Sequence, residues 1–133
     1  MPDIILDGKA SIYEQIYDGI VRLISSGVLR PDEKLPAVRE TAKKLGINPN
    51  TVQKAYSALE QNGLIYSIPA KGSYVAGGGS AAEKIKKEAA GSLREAMLKA
   101  EESGVSRGTA EELINEIWSK NNNVTAPEKG RGK

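Results

Sequence analysis

The sequence predicts a mostly α-helical fold with one small β-hairpin, in which an N-terminal winged helix-turn-helix precedes a short C-terminal helical segment. Three observations predict it. Apolar residues recur at helical spacing in three N-terminal stretches, two short runs of β-formers follow, and the rest is rich in alanine, glutamate and lysine. The chain has 133 residues, 39% of them hydrophobic and 27% charged, so a compact core is expected.

The first helix is predicted to begin at a capping box, Ser11-Ile-Tyr-Glu14. In this motif the serine hydroxyl accepts an early backbone N–H and the glutamate reaches back to the cap. An apolar face follows, and the helix should end at Ser26-Gly27, because glycine readily takes the left-handed closing conformation. That face consists of Ile12, Ile16, Ile20, Leu23 and Ile24.

Two short helices come next. Arg30 to Pro36 contains two prolines and must be a loop or a very short strand. The second helix is predicted from about Ala37 to Leu45, with Gly46 as its terminator. The third begins at the N-cap Asn48 with Pro49 in its first position, and Ile47 pins the turn between the two helices. Its buried stripe is Val52, Ala55, Tyr56 and Leu59.

A hairpin closes the N-terminal half. Leu64 to Ile68 and Ser73 to Ala76 are predicted strands, and Pro69 to Gly72 is the turn between them. Three helices closed by a hairpin form the winged-helix arrangement. The predicted organisation is therefore a winged-helix domain over residues 1–76, a glycine-rich linker at 77–80, a two-helix segment at 81–120 and a disordered tail at 121–133.

The two C-terminal helices cannot form a core alone. A helix from about Ala81 to Ser103 carries a narrow apolar stripe, and a second capping box, Thr109-Ala-Glu-Glu112, should start another short helix. A second copy of the same pair is the most economical partner, giving a two-fold homodimer. The alternative is a monomer in which the pair packs on its own winged helix. The expected interface residues are Ile85, Leu93, Met97, Leu113, Ile117 and Trp118.

Composition excludes much chemistry. Cysteine and histidine are both absent, which removes thiolate and histidine-based catalysis and zinc sites with nitrogen or sulfur ligands. We therefore expect no enzymatic activity, no metal and no cofactor. No window is apolar enough to span a membrane, and Asp3 and Asp7 stand where a signal peptide would be basic and then apolar. A cytoplasmic protein is expected.

Six short strings in the first three-fifths of the chain form a recognisable series. They are Ile12-Tyr-Glu-Gln-Ile16, Gly27-Val-Leu-Arg-Pro31, Lys34-Leu-Pro-Ala-Val-Arg-Glu40, Asn50-Thr-Val-Gln53, Leu59-Glu-Gln-Asn-Gly-Leu64 and Lys71-Gly-Ser-Tyr-Val75. In this order and spacing they resemble the GntR family of bacterial transcription regulators. The short helical end is similar to that of the YtrA subfamily, in which it serves dimerisation.

The resemblance implies double-stranded DNA as the partner and assigns two parts of its binding surface. Arg39 stands where the family's arginine contacts DNA, and Lys71 with Gly72 corresponds to the wing, which approaches the minor groove. The sequence departs from the family at Pro49 and Gln53, where many members carry arginine, and at Ala70, which replaces a frequent wing glycine. The base preference of relatives therefore does not transfer.

Helical periodicity supplies the remaining candidates on the third helix. Asn50 and Gln53 share an outward face and carry amides that can pair with adenine in the major groove. The residues suited to phosphate are Asn48, Thr51 and Lys54, with Lys43 and Lys44 adding attraction from the second helix. Each also has a plainer interpretation as a helix cap or a solvated face, and Arg39 could instead pair with Glu40 or Asp32.

The leading hypothesis is a dimeric repressor that occupies promoter DNA. Two-fold symmetry calls for a palindromic operator with half-sites about one helical turn apart, and the family resemblance implies a transporter operon as the target. The alternative is a winged helix that docks another protein instead of reading DNA. An unidentified effector remains an open partner, because regulation needs a ligand that distinguishes two states and the sequence reveals no pocket for it.

Overall fold

The computed structural model describes residues 4–8 and 10–125, with side chains as far as residue 119. Its elements match the prediction to within a residue or two through the hairpin, which confirms the mostly helical winged helix-turn-helix class. They are α1 (Ile12–Ser25), α2 (Val38–Leu45), α3 (Pro49–Gln61), β1 (Ile65–Ile68), β2 (Gly72–Val75), α4 (Ser80–Glu102) and α5 (Arg107–Thr125).

The chain divides into two compact units between Ala90 and Gly91. In the N-terminal unit, α1 and α2 both pack on α3, and the hairpin follows α3 directly. The predicted cap of α1 is confirmed, because the Glu14 N–H donates to the Ser11 hydroxyl at 3.1 Å. One apolar core joins these elements, and its most deeply buried large side chains are Ile16, Ile20, Leu29, Leu35, Val52, Leu59, Leu64 and Val75.

The hairpin that forms the wing is extended by a third segment, which pairs with β2. β1 and β2 pair with Ile65 opposite Val75 and Ile68 opposite Gly72. The segment 32–35 lies along the other side of β2, where the Leu35 N–H donates to the Ser73 carbonyl at 2.8 Å. The predicted loop or very short strand is thus a single bridge, Lys34 opposite Tyr74.

The start of α4 differs from the predicted linker. Gly78 and Gly79 turn the chain with positive φ angles of 66° and 79°, and the helix begins at Ser80. Its first residues belong to the N-terminal unit, since Ala81 is buried and Ile85 packs against the winged-helix core. Apolar side chains this close to the core are buried more cheaply there than against a second chain.

The start of α5 also corrects the prediction. The helix begins at Arg107, and the hydroxyl of Ser106, not of Thr109, caps it by accepting the Thr109 N–H at 3.1 Å. A better N-cap residue was available three positions earlier. α5 continues to Thr125, so residues 121–125 are helical where a disordered tail was predicted, and residues 126–133 lie outside the described residues. None of the described helices is long and apolar enough to cross a membrane.

Candidate nucleic-acid interface

The turn between α2 and α3 sets the geometry of the candidate interface. Gly46 ends α2 in the left-handed conformation, with φ 69° and ψ 38°, which L-residues adopt at a cost. Ile47 is half-buried against the core. The Asn48 side chain then accepts the Asn50 N–H at 2.8 Å, and Pro49 opens α3 as predicted. Asn48 thus already has a structural role as a helix cap.

Helix α3 separates an apolar face from a polar one. Its predicted stripe of Val52, Ala55, Tyr56 and Leu59 is buried. The opposite face is polar, and Thr51 at its edge is half-buried. In the N-terminal part of that face four side chains are exposed, namely Asn50, Gln53, Lys54 and Ser57, and the exposed face continues towards the C-terminal end through Glu60 and Gln61. The arrangement puts two amides and one cation on the surface of a helix whose N-terminal end is also exposed.

One outward amide is held by a neighbour. The Gln53 side-chain nitrogen donates to the Ser57 hydroxyl at 3.1 Å, one turn further along α3. This hydrogen bond leaves the Gln53 carbonyl oxygen and its second N–H available to a base edge. Ser57 therefore orients the amide that sequence periodicity selected for base recognition, a role that the sequence analysis did not assign.

Arg39 lies exposed in the first turn of α2. The two carboxylates that could have neutralised it are engaged elsewhere: Glu40 accepts the Ala37 N–H at 3.3 Å, and Asp32 accepts the Tyr66 hydroxyl at 2.8 Å. In the part of the chain that the structure describes, neither forms an ion pair with Arg39. Its guanidinium is free to meet an anion from outside the protein.

A buried polar network fixes α2 against α3. The Tyr56 hydroxyl donates to the Pro36 carbonyl at 2.8 Å and lies 3.1 Å from the Thr41 hydroxyl. Tyr56 has one proton to donate, so Thr41 is the donor of the second bond. Burial raises the pKa of Tyr56 above its ordinary value of 10.0, and the Thr41 hydrogen bond opposes that rise.

This network joins the segment just before Arg39 to α3. Sequence analysis assigned Tyr56 only to packing. The missed signal was Thr41, a hydroxyl residue next to Ala42 on the buried face of α2. A buried hydroxyl requires a partner, and the phenol of Tyr56 on α3 supplies it.

The wing carries its own candidates. Lys71 and Gly72 are exposed at the hairpin turn, which the Lys71 N–H closes on the Ile68 carbonyl at 2.9 Å. Ala70 holds a positive φ of 66°, a left-handed conformation that alanine adopts at a cost. At the base of the wing, the hydrogen bond to Asp32 raises the pKa of Tyr66, since it favours the neutral phenol.

The C-terminal unit contains the other predicted surface. α4 and α5 are joined through Gly104, whose φ is 93°. Within this unit the predicted interface side chains remain exposed, each keeping 47% to 54% of its accessible surface. They are Leu93, Met97, Leu113, Ile117 and Trp118, joined by Leu98 and Ile114. Ile85, predicted with them, instead packs on the winged-helix core of its own chain.

Comparison with known proteins identifies the family. Residues 12–75 match the model of the bacterial regulatory proteins of the gntR family. The chain is 43% identical over 72 residues to the HTH-type transcriptional repressor YtrA of Bacillus subtilis, a match covering 53% of this chain and 55% of that repressor. The chain thus spans about half the length of that curated relative.

Solved structures agree with this result. A GntR family transcriptional regulator from Listeria monocytogenes has a TM-score of 0.72 at 29% identity, and the match covers 84% of this chain and 98% of that one. The DNA-binding domain of AraR in complex with operator ORR3 matches 57% of this chain and 92% of its own length, with a TM-score of 0.50 and 29% identity.

These matches also confirm the expectation that the chain is not an enzyme, because the proteins of this family are transcription regulators that bind DNA. The fold, the six sequence strings and the comparisons agree with one another. YtrA from Sulfolobus acidocaldarius, a GntR-family transcription factor, is 36% identical to this chain with a TM-score of 0.50, and the match covers 90% of this chain and 97% of that one. The chain therefore belongs to the GntR family of bacterial transcription regulators.

Proposed function

We propose that this protein is a dimeric transcriptional repressor that binds a palindromic operator through its two winged helices. One observation carries the proposal: the outward face of α3 and the first turn of α2 together expose Gln53, Lys54 and Arg39, and no described carboxylate neutralises either cation. A surface that docks another protein would expose large apolar anchors instead.

DNA recognition follows from the exposed groups. The N-terminal part of α3 enters the major groove, where Asn50 and Gln53 pair with base edges and favour adenine. Ser57 holds the Gln53 amide before DNA arrives, which reduces the entropy lost on binding. Arg39 and the wing supply further DNA contacts. Phosphate contacts come from Asn48, Thr51 and Lys54, and Lys71 with Gly72 at the wing turn approaches the minor groove and the phosphates beside it.

Dimerisation is proposed to occur through the C-terminal unit. Its exposed apolar side chains would remain in contact with water in a monomer. A second copy of the same surface covers them without requiring any other protein. The interface centres on Leu93, Met97, Leu113, Ile117 and Trp118. Two winged helices related by a two-fold axis then meet half-sites about one helical turn apart.

The target and the regulation are also proposals. The likeness to the Bacillus subtilis repressor YtrA supports repression, and the AraR complex with an operator supports the use of this fold on duplex DNA. We infer a transporter operon as the target, the class implied by the family resemblance. Release from the operator would require an effector that binds the DNA-competent and DNA-incompetent states with different affinities.

The test is a binding titration against the protein's own promoter fragment and an unrelated duplex at two salt concentrations. Arg39→Ala should lower the affinity for the promoter by about tenfold or more, because it removes a charged contact to DNA. Gln53→Ala should bring the two duplexes closer in affinity, because it removes base contacts. Arg94→Ala, on an exposed part of α4, is the matched control and should change neither.

Equal and weak binding to both duplexes, unchanged in the Arg39 and Gln53 variants, would overturn the proposal. A weak dependence on salt would do the same, since phosphate neutralisation releases counterions and makes affinity fall steeply as salt rises. Those results would favour the alternative, a winged helix that docks another protein.

A further inference from the structure

Lys34 was not among the residues predicted to contact DNA, but its side chain lies beside the turn of the wing. Lys34 belongs to the segment that pairs with β2, where the Val75 N–H donates to the Glu33 carbonyl at 2.9 Å and the Leu35 N–H donates to the Ser73 carbonyl at 2.8 Å. Hydrogen bonds on both sides fix its backbone opposite Tyr74. Lys34 is therefore a residue of the wing itself, although it precedes α2 in the sequence.

Its side chain occupies the space beside Gly72. A Cβ atom added at Gly72 would lie 2.9 Å from Cε of Lys34 and 3.8 Å from its Nζ. Contacts below 3.0 Å are too short for a real Cβ, so a larger residue at position 72 would have to displace the lysine. The end of the Lys34 side chain thus lies beside Gly72, whose φ of 128° by itself favours glycine.

The charge of Lys34 is not neutralised by its neighbours. Asp32 accepts the Tyr66 hydroxyl at 2.8 Å, and Glu33 accepts the Arg30 N–H at 2.9 Å. Among the described residues, Lys34 forms no ion pair. Lys71 lies in the same turn and is exposed as well. Two uncompensated cations therefore flank one glycine.

We propose that Lys34 is a DNA-contacting residue of the wing and that it binds a backbone phosphate together with Lys71. Phosphate is the anion that a winged helix on duplex DNA meets at this position, and lysine binds it as a point charge. The alkyl chain of Lys34 already lies against the turn, so less side-chain entropy is lost on binding. The inference rests on the proposed DNA binding and adds a residue from another part of the sequence to its surface.

Lys34→Met tests the inference, because methionine keeps an unbranched apolar chain and removes the charge. Binding to the promoter fragment and to an unrelated duplex should weaken by a similar factor, about eightfold at 0.1 M salt, as expected for one lost counterion release. The slope of log affinity against log salt should become shallower by about one. Lys34→Arg, which keeps the charge, should restore most of both.

Two controls separate the possible failures. Lys87→Met removes an equal charge from α4 and should leave both the affinity and the salt slope unchanged. Unfolding temperatures of all variants are measured, since a merely structural role of Lys34 would lower stability without changing the salt slope. An unchanged slope in Lys34→Met, with Arg39→Ala still defective, overturns this inference alone. Wild-type protein without salt-dependent binding to either duplex overturns the proposed function as well.

Discussion

The two units of this chain treat their apolar residues in opposite ways. In the N-terminal unit, side chains such as Leu59 and Val52 are completely buried, and the exposed surface that we assign to DNA is polar. In the C-terminal unit, Trp118 remains 54% exposed and Leu113 49% exposed. The first unit has a closed core of its own, whereas the second presents an apolar surface suited to another chain. The difference is the one expected if the first unit binds DNA and the second forms the proposed dimer.

The largest effect is expected on the stability of the N-terminal unit, when a side chain is removed from its buried core. Leu59→Ala should lower the free energy of unfolding of the N-terminal unit by about 3 kcal/mol, because it removes buried methyl groups and leaves a cavity. Chemical denaturation followed by circular dichroism measures it. Leu98→Ala, at a side chain 55% exposed, is the matched control and should change the stability of this unit by far less. Similar losses of unfolding free energy in the two variants would contradict the conclusion that only the N-terminal unit buries its apolar side chains.

The next largest effect is expected on dimerisation through the exposed apolar surface of the C-terminal unit. Trp118→Asp should raise the dissociation constant of the dimer by about thirtyfold, because large aromatic side chains dominate interface energies and a buried carboxylate opposes association. Sedimentation equilibrium over a range of protein concentrations measures it. The N-terminal unit should keep its stability. A wild-type protein that stays monomeric at every concentration would instead support the alternative in which the helices pack on their own winged helix.

A smaller effect is expected from the buried network that joins α2 to α3. Tyr56→Phe should cost about 1–2 kcal/mol of unfolding free energy, because Thr41 and the Pro36 carbonyl lose their shared partner. Burial raises the pKa of Tyr56 in the folded state, so its contribution is complete below the unfolded value of 10.0 and is lost as pH rises through the folded value.

Wild-type stability should therefore decline above pH 10, and the variant should decline less. Denaturation at pH 8 and at several values above 10 measures both curves. Parallel curves for the two proteins would show that Tyr56 does not couple folding to alkaline pH.

The smallest change in stability is expected from a substitution at the tip of the wing. Ala70→Gly should raise the free energy of unfolding by about 0.5 kcal/mol, because a φ of 66° strains alanine but not glycine, and the greater freedom of glycine in the unfolded chain offsets part of the gain. Thermal unfolding measures it, with Ala58→Gly inside α3 as a control that should destabilise. A loss of stability at position 70 would contradict the assignment of strain.

Local patterns predicted the N-terminal unit well because its signals are local. Ser11 and Asn48 cap the helices that they were expected to cap, and Gly46 closes α2. One prediction chose between two competing caps and was wrong, since Ser106 caps α5 in place of Thr109. The sequence also did not indicate that Ile85 is half-buried against the core of its own chain. Periodicity shows that a residue faces an apolar surface but cannot show which surface is nearer.

The candidate DNA surface was predictable only in part for a related reason. Helical spacing selected Asn50, Gln53 and Lys54, which are exposed on one helix. It could not select Lys34, because that lysine reaches Gly72 through the pairing of segments about forty residues apart. It also could not select Thr41, whose partner Tyr56 lies on another helix. Contacts between distant segments carry no local signal in the sequence.

The most direct test of the whole account is a footprint and affinity measurement on the protein's own promoter, comparing wild type with Trp118→Asp. The account predicts that wild type protects two symmetric half-sites about one helical turn apart. It also predicts that the variant loses up to about thirtyfold in affinity, the factor by which its dimerisation is weakened, because DNA binding by the dimer is linked to dimerisation. Equal affinity and an identical footprint would contradict the claim that the C-terminal unit pairs two winged helices on DNA.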